Sequence, residues 1–212
     1  MPDLTFEQEI IERRGEWLIA GIDEAGRGAL AGPVVAAAVI LPLNNPDRLA
    51  RLVAVNDSKQ LTARQRERLY DLIITHALAW AVGSAAAAII DEIGILPATH
   101  QAMVAAVRQL VPPASYLLID GRIRLRQLTQ PQQAIIRGDG LSLSIAAASI
   151  LAKVTRDRHM LALDSQYPAY GFARHKGYGT QAHLHALAHH GPTAIHRHSF
   201  APIRPTLLAV DG

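Results

Sequence analysis

The 212-residue chain has no cysteine, which excludes disulfides, thiolate zinc sites and cysteine nucleophiles. Charged residues are sparse at 18%, which argues against a disordered chain. Lysine is scarce: of 21 basic residues, 18 are Arg, and only Lys59, Lys153 and Lys176 are Lys. No long hydrophobic run occurs. Val34–Leu41 is the longest, and it and the six-residue runs such as Ala85–Ile90 are far too short to span a bilayer. The first 16 residues are polar, with Glu7, Glu9, Glu12 and Glu16, and do not read as a signal peptide. The expectation is a cytoplasmic protein with no membrane partner. No repeat, linker or low-complexity tract interrupts a length that suits one domain, or one domain with an appendage.

What is present is unevenly spread. Hydrophobic residues reach 50%, but 36 of the residues are Ala, so large apolar content is moderate. Residues 1–119 hold 10 Lys/Arg against 13 Asp/Glu, whereas residues 120–204 hold 11 against 4, a net of +7. A basic C-terminal half points to a polyanionic partner such as nucleic acid. The same arginines also suit a solvated basic face with Arg-biased usage, so charge alone leaves both readings open.

The hydrophobic pattern predicts alternating short elements. Residues 1–16 read as an amphipathic helix with Phe6, Ile10 and Ile11 on its apolar side. Trp17–Ile22 reads as a buried strand ending at Asp23, followed by a Gly-rich segment from Gly26 to Pro33. Val34–Leu41 is β-branched and apolar, a second strand, and Pro42–Pro46 a turn. Thr62-x-x-Gln65 is a capping-box signal for a helix reaching about Ala77. Ala79–Ala87 reads as a strand, and Ile95–Leu110 as a helix stopped by Pro112-Pro113. Tyr116–Ile119 and Ala134–Ile136 are further strands, ending at Asp120 and near Asp139. A long helix starts near Ser142 or Ser144 and runs to about Leu163, and a shorter one covers about Thr180–His189. Adjacent early strands imply antiparallel pairing, and later strands are separated by helices. The result is a mixed α/β sheet with helices on its faces.

The chemical signal is the position of the acids. Asp23, Glu24, Asp120 and Asp139 each follow an apolar run that should be buried, and sites form at strand ends of open sheets. A carboxylate there must be paired, hydrogen-bonded or bound to a cation. Four oxygen donors without cysteine suit Mg²⁺ or Mn²⁺, and two such ions about 3.5–4 Å apart can cleave a phosphodiester. Taken singly, Asp120-Gly121 and Asp139-Gly140 also read as turn dipeptides. Gly26-Arg27-Gly28 lets the backbone approach a ligand, but it is neither a dinucleotide fingerprint nor a phosphate loop. Ser149, Lys153 and Arg156 share one face of the long helix, which could grip phosphates or be a solvated stripe. Eight of ten histidines follow residue 158 and read as basic, partly apolar surface, and the His185/His189 spacing lacks a zinc-site pattern. His175 to Thr180 supplies a cation, two glycines and Tyr178, groups able to meet a sugar–phosphate backbone.

Read together, these segments resemble ribonuclease HII. The resemblance rests on Gly21-Ile-Asp23-Glu24-Ala-Gly26-Arg27-Gly28, Asp57-Ser58-Lys59-Gln60-Leu61, Ile119-Asp120-Gly121 and Gly138-Asp139. It continues through Ser144 to Asp157, Tyr170 to Thr180, and His196-Arg197-x-Ser199-Phe200. It runs from about Trp17 to Ile203, nearly the whole chain. The resemblance implies a ribonuclease H-like mixed five-stranded sheet flanked by helices. Residues 1–165 would be the catalytic core and 166–212 a helical C-terminal extension. It implies an endoribonuclease for RNA/DNA hybrids that also cuts 5′ of single ribonucleotides in duplex DNA, with 5′-phosphate and 3′-hydroxyl products. It implies two Mn²⁺ or Mg²⁺ ions held by Asp23, Glu24, Asp120 and Asp139. Gly26, Arg27 and Gly28 would read the ribose 2′-hydroxyl, Tyr178 would meet the ribonucleotide–deoxynucleotide junction, and Lys59, Ser149 and Lys153 would contact phosphates. A related two-metal DNA nuclease, of resolvase or integrase type, and a non-catalytic nucleic-acid-binding module are the alternatives. A monomer is the default, and no aromatic docking motif follows Ile203 to support a sliding-clamp partner.

Overall fold

The computed structural model describes residues 1–203 except Val53, Asn56, Asp57, Lys59 and Gln60. Helix α1 (Thr5–Arg14) leads into strands β1 (Ile19–Ala25) and β2 (Val34–Ile40), followed by α2 (Pro46–Ala50) and α3 (Ala63–His76). Then come β3 (Ala79–Ala85), α4 (Ala87–Ile93), α5 (Ile95–Arg108), β4 (Tyr116–Asp120) and β5 (Gln132–Ile135). A 3-10 turn (Gly138–Gly140) opens into the long α6 (Leu143–Gln166), and α7 (Phe172–His175) and α8 (Gln181–His190) follow. The sheet order is β3-β2-β1-β4-β5, with β1 antiparallel to β2 and parallel to β4.

Strand β2 is buried along its whole length because both faces of the sheet are covered. Its side chains alternate between two cores. Ala36, Ala38 and Ile40 pack with Met103 and Val107 of α5, while Ala37 and Val39 pack with Ile73 of α3 and Ile150 of α6. Alanine on both faces brings the helices close. The tightest approach to helix backbone among the described glycines is at Gly21 of β1, where an added Cβ would lie 2.0 Å from the Ser144 carbonyl carbon of α6.

The helix caps were legible. Thr62 and Gln65 form the reciprocal capping box of α3, and Ser142 caps α6. Other readings are corrected. Asp23 and Glu24 lie inside β1, not after it, because the strand starts at Ile19 and continues to Ala25. Trp17 is 46% exposed, outside the strand. The expected strand Ala79–Ala87 ends at Ala85, and the alanine run beyond it turns into α4, since small residues carry no two-residue alternation to mark the change. The expected Pro42–Pro46 turn is present at Leu43-Asn44, but its last two residues are a cap, Asn45, and the first-turn proline of α2, Pro46.

Glu7 is fully buried. Its carboxylate accepts from the Ser142 and Ser144 hydroxyls (2.7 and 2.6 Å) and from the Ser144 amide (3.0 Å). An anion at the start of α6 complements the helix dipole, so α1 pins the helix that carries Ser149.

The C-terminal helices surround an aromatic and imidazole cluster, in which Tyr170 stacks on Phe172 at 5.4 Å. His159, His185, His189, His190 and His198 are exposed, as the surface reading expects, but His183 and His196 are fully buried, which corrects it for those two. His196 Nδ1 accepts from the Thr193 amide, so Nε2 carries the proton and donates to His183 Nε2 at 3.1 Å. His183 Nδ1 then donates to the Tyr178 carbonyl at 3.0 Å. Both rings are therefore neutral. Burial, aided by the neighbouring His183, pushes His196 down to about 4. An unfolded histidine binds its proton near pH 6.5, so stability is complete above that pH and is lost as pH falls toward 4. The slope is at most about 1.4 kcal/mol per pH unit for this one group. Thermal unfolding between pH 7 and 4.5 checks this. The midpoint should fall with acid, and His196→Asn should flatten the dependence. Equal slopes in both proteins would remove His196 as the cause.

No helix among the described residues is long and apolar enough to cross a membrane.

Candidate active site

Neighbouring residues of a strand point to opposite faces. Asp23 shares the α6 face with Gly21, and Glu24 takes the α5 face. Asp23 is 3% exposed and hydrogen-bonds the Ser149 hydroxyl and the Glu24 amide, the latter at 2.7 Å. Ser149, itself buried, also bonds Ser58 at 2.8 Å. Glu24 pairs with Arg27 at 3.0 Å. The parallel register sets Ile22 beside Ile119, so Asp120 at the end of β4 comes level with Asp23, about one strand spacing (~4.8 Å) away. The Asp120 carboxylate accepts from the Gly138 amide at 2.7 Å, which ties the turn bearing the buried Asp139 to the same strand end.

The electrostatics record this crowding. Burial first, then the charges of Glu24 and Asp120, hold the Asp23 carboxyl well above the usual carboxylate range. Among the described residues, no three His, Asp or Glu side chains already close round one point tightly enough to hold an ion. The donor set nevertheless fits a hard divalent cation. All donors are oxygen, and Asp23, Glu24 and Asp120 repel one another unless a positive charge sits among them. A cavity of about 400 Å³ opens beside Glu24, Asp120 and Arg27, with His100, Met103 and Ile123 on its wall.

The remaining expected site residues fall on two segments tied together. The Gly177 carbonyl accepts from the Leu30 and Ala31 amides, which fastens the Tyr178 segment to the Gly26–Pro33 loop. Tyr178 is half-buried, with Lys153 Nζ 5.7 Å and Arg156 Cζ 5.3 Å from its ring centre. Lys153 pairs with Asp157 at 2.8 Å. Lys59 lies outside the described residues.

Arg156 fits neither reading of the helix face, phosphate grip or solvated stripe. It is fully buried and donates to the carbonyls of Ala31 (3.0 Å), Pro33 (2.9 Å) and Lys176 (2.9 Å). Arg197, to which the sequence assigned no role, is also fully buried. It donates to Gly26 (2.7 Å), Arg27 (2.7 Å) and, twice, Gly32. The only sequence signal for it was its place in His196-Arg197-x-Ser199-Phe200. A lone arginine gives no sign of burial when its partners are backbone carbonyls 165–171 residues away.

The family model described as Ribonuclease HII matches residues 20–203. A ribonuclease HII of Chloroflexus aurantiacus is 53% identical over 214 residues, covering all of this chain and 99% of that protein. The crystal structure of the ribonuclease H2 from Pyrococcus horikoshii superposes with a TM-score of 0.72 at 28% identity, over 88% of this chain and 95% of that one. Ribonuclease HII of Archaeoglobus fulgidus, solved in complex with PCNA, gives 0.73 at 27% identity, over 90% and 98%. Full-length identity above one half, joined to the family model's match over residues 20–203 and a superposable fold, places the chain in the ribonuclease HII family and makes it a metal-dependent endoribonuclease.

Proposed function

We propose that the protein hydrolyses the RNA strand of RNA/DNA hybrids, and cuts 5′ of single ribonucleotides in duplex DNA, leaving 5′-phosphate and 3′-hydroxyl ends. The observation that carries this reading is geometric: the buried Asp23 adjoins Glu24 on β1 and comes level with Asp120 of β4, to which the turn of Asp139 is tied. Asp23, Glu24, Asp120 and Asp139 are the residues that would hold two divalent ions, Mg²⁺ or Mn²⁺. When bound, the ions supply Lewis acidity, lowering the pKa of an attacking water and neutralising charge on the scissile phosphate. The chain's own residues do the rest. Ser149 orients Asp23 by hydrogen bonding, and the Gly138 amide orients Asp120. Lys153 and Lys59 serve the phosphates, as point charges on flexible stems. The Gly26-Arg27-Gly28 backbone reads the 2′-hydroxyl, the group that distinguishes RNA from DNA. The work of such an enzyme is on chromosomal DNA, which in bacteria is cytoplasmic.

Tyr178 stands beside Lys153 and Arg156 and stacks at the junction between ribonucleotide and deoxynucleotide. Tyr178→Ala should lower kcat/KM on a single-ribonucleotide duplex by roughly tenfold or more. An unchanged rate on that duplex would take Tyr178 out of the site.

Cleavage-site mapping tests the function as a whole. A duplex with one ribonucleotide should be cut once, 5′ of it, in Mg²⁺ or Mn²⁺ and not in chelator. The same duplex made wholly of DNA should survive. Cutting both alike would favour a DNA nuclease, and cutting neither a binding module.

A further inference from the structure

A buried guanidinium with no carboxylate partner is costly, since only carbonyl dipoles offset its desolvation. Among the described residues, neither Arg156 nor Arg197 forms an ion pair with a carboxylate, and both are buried beneath one loop. Among the described residues, six of the seven hydrogen bonds made by the Arg156 and Arg197 guanidinium groups go to carbonyls of Gly26–Pro33. The loop is fitted closely to them. Gly26 has φ +92°, and a Cβ there would lie 1.9 Å from Arg156 Nε.

The Arg197 fork takes consecutive carbonyls, those of Gly26 and Arg27. A trans peptide is planar, with its C=O and N–H opposed. Drawing those two carbonyls inward therefore turns the amides of Arg27 and Gly28 outward. Neither amide donates to a partner among the described residues. At Gly28 an added Cβ would meet nothing within 4 Å, so this side of the loop is open. Arg197 thus presents two adjacent N–H donors, immediately after the Asp23–Glu24 pair, to an oxygen on the substrate.

Arg197 is itself held from outside. Asp91 on α4 accepts from the amides of His198 and Ser199 (both 2.8 Å) and from the Ser199 hydroxyl (2.6 Å). The Arg197 amide donates to Leu30 at 2.8 Å, which fixes its backbone against the same loop. Arg197 remains a cation at neutral pH, although burial brings it down to about 9.

We propose that Arg197, braced by Asp91 and backed by Arg156, is the positioning residue for ribose selectivity: it aims the Arg27 and Gly28 amides at the ribose 2′-oxygen. This rests on the reading of the Gly26-Arg27-Gly28 backbone given above. None of the three side chains touches substrate in this scheme. Each acts through the loop.

Binding without turnover tests it, with Asp120→Asn as the uncut parent and fluorescence anisotropy as readout. Two duplexes are compared, one with a single ribonucleotide and one all DNA. The parent should prefer the ribonucleotide duplex. Adding Arg197→Lys keeps the charge but loses the fork, and should remove about tenfold of that preference, with the all-DNA Kd within about twofold. Adding Asp91→Ala, at a half-buried position away from the loop, should remove about threefold in the same sense. Thermal unfolding identifies which variants are folded, and if Arg197→Lys is not, Asp91→Ala decides. Preference kept at the parent's level in a folded variant, or both duplexes weakened by the same factor, overturns the proposal. A parent with no preference overturns instead the reading of the loop as a 2′-hydroxyl reader.

Discussion

Asp120→Asn is expected to abolish cleavage, by roughly a thousandfold or more, while leaving hybrid binding largely intact. Asparagine has the same shape and keeps an oxygen to accept from the Gly138 amide, so the link between β4 and the turn of Asp139 survives. What it removes is charge. Asp120 is one of two neighbours whose charge raises Asp23, so its neutralisation relaxes Asp23 toward the ordinary range. The same change weakens the site's hold on divalent cations, because fewer anionic oxygens remain. Nucleic-acid binding rests on other groups, the basic residues and the exposed loop amides. Single-turnover cleavage and a gel-shift titration, run side by side, separate the two effects. Near-normal turnover in Mg²⁺ or Mn²⁺ would sink the two-metal reading. Loss of binding together with cleavage would show that the acid supports the fold.

Gly21→Ala is expected to be strongly destabilising. The new Cβ would lie 2.0 Å from the carbonyl carbon of Ser144 and 2.3 Å from the Ile145 amide nitrogen. Both atoms are backbone in the first turn of α6, so no rotamer change relieves the clash. β1 cannot retreat either, since it is hydrogen-bonded to β2 and to β4. Overpacking against backbone should cost about 3 kcal/mol or more, lowering Tm by roughly 6–12 °C. Catalysis should suffer as well, because the displaced helix carries Ser149 and Asp23 is two residues away. Gly28→Ala is the control. Its Cβ meets nothing, and the stability change should stay within about 0.5 kcal/mol. Thermal unfolding of the two variants beside the parent decides. If both variants melt with the parent, the strand and helix are not packed as closely as described.

Most of the secondary structure was legible because the relevant signals are local. Val34–Leu41 is apolar and β-branched, Thr62-x-x-Gln65 is a cap, and Pro112-Pro113 is a stop. Errors fell where local signals fade. Alanine is at home in strand and helix alike, so Ala85–Ala88 did not mark the change from β3 to α4. The acids were visible as carboxylates adjoining apolar runs. The sequence did not show that Asp23 and Glu24 face opposite sides of one strand.

By itself the sequence determined the chemistry available here: oxygen donors without sulfur, a Gly-Arg-Gly segment, a basic C-terminal half and the order of the elements. Its motifs were also enough to indicate the family. Tertiary structure alone decided which groups meet. The parallel pairing of β1 with β4 brings together Asp23 and Asp120, 97 positions apart, at a place where burial first, then Glu24 and Asp120, raise the Asp23 carboxyl. Burial made Arg156 and Arg197 supports for a loop, and made His183 and His196 a neutral hydrogen-bonded pair beneath Tyr178. A sequence states which side chains can ionise or donate, because that is covalent. Whether they are charged, paired or aimed depends on solvent and neighbours, and those are assigned only when distant segments pack.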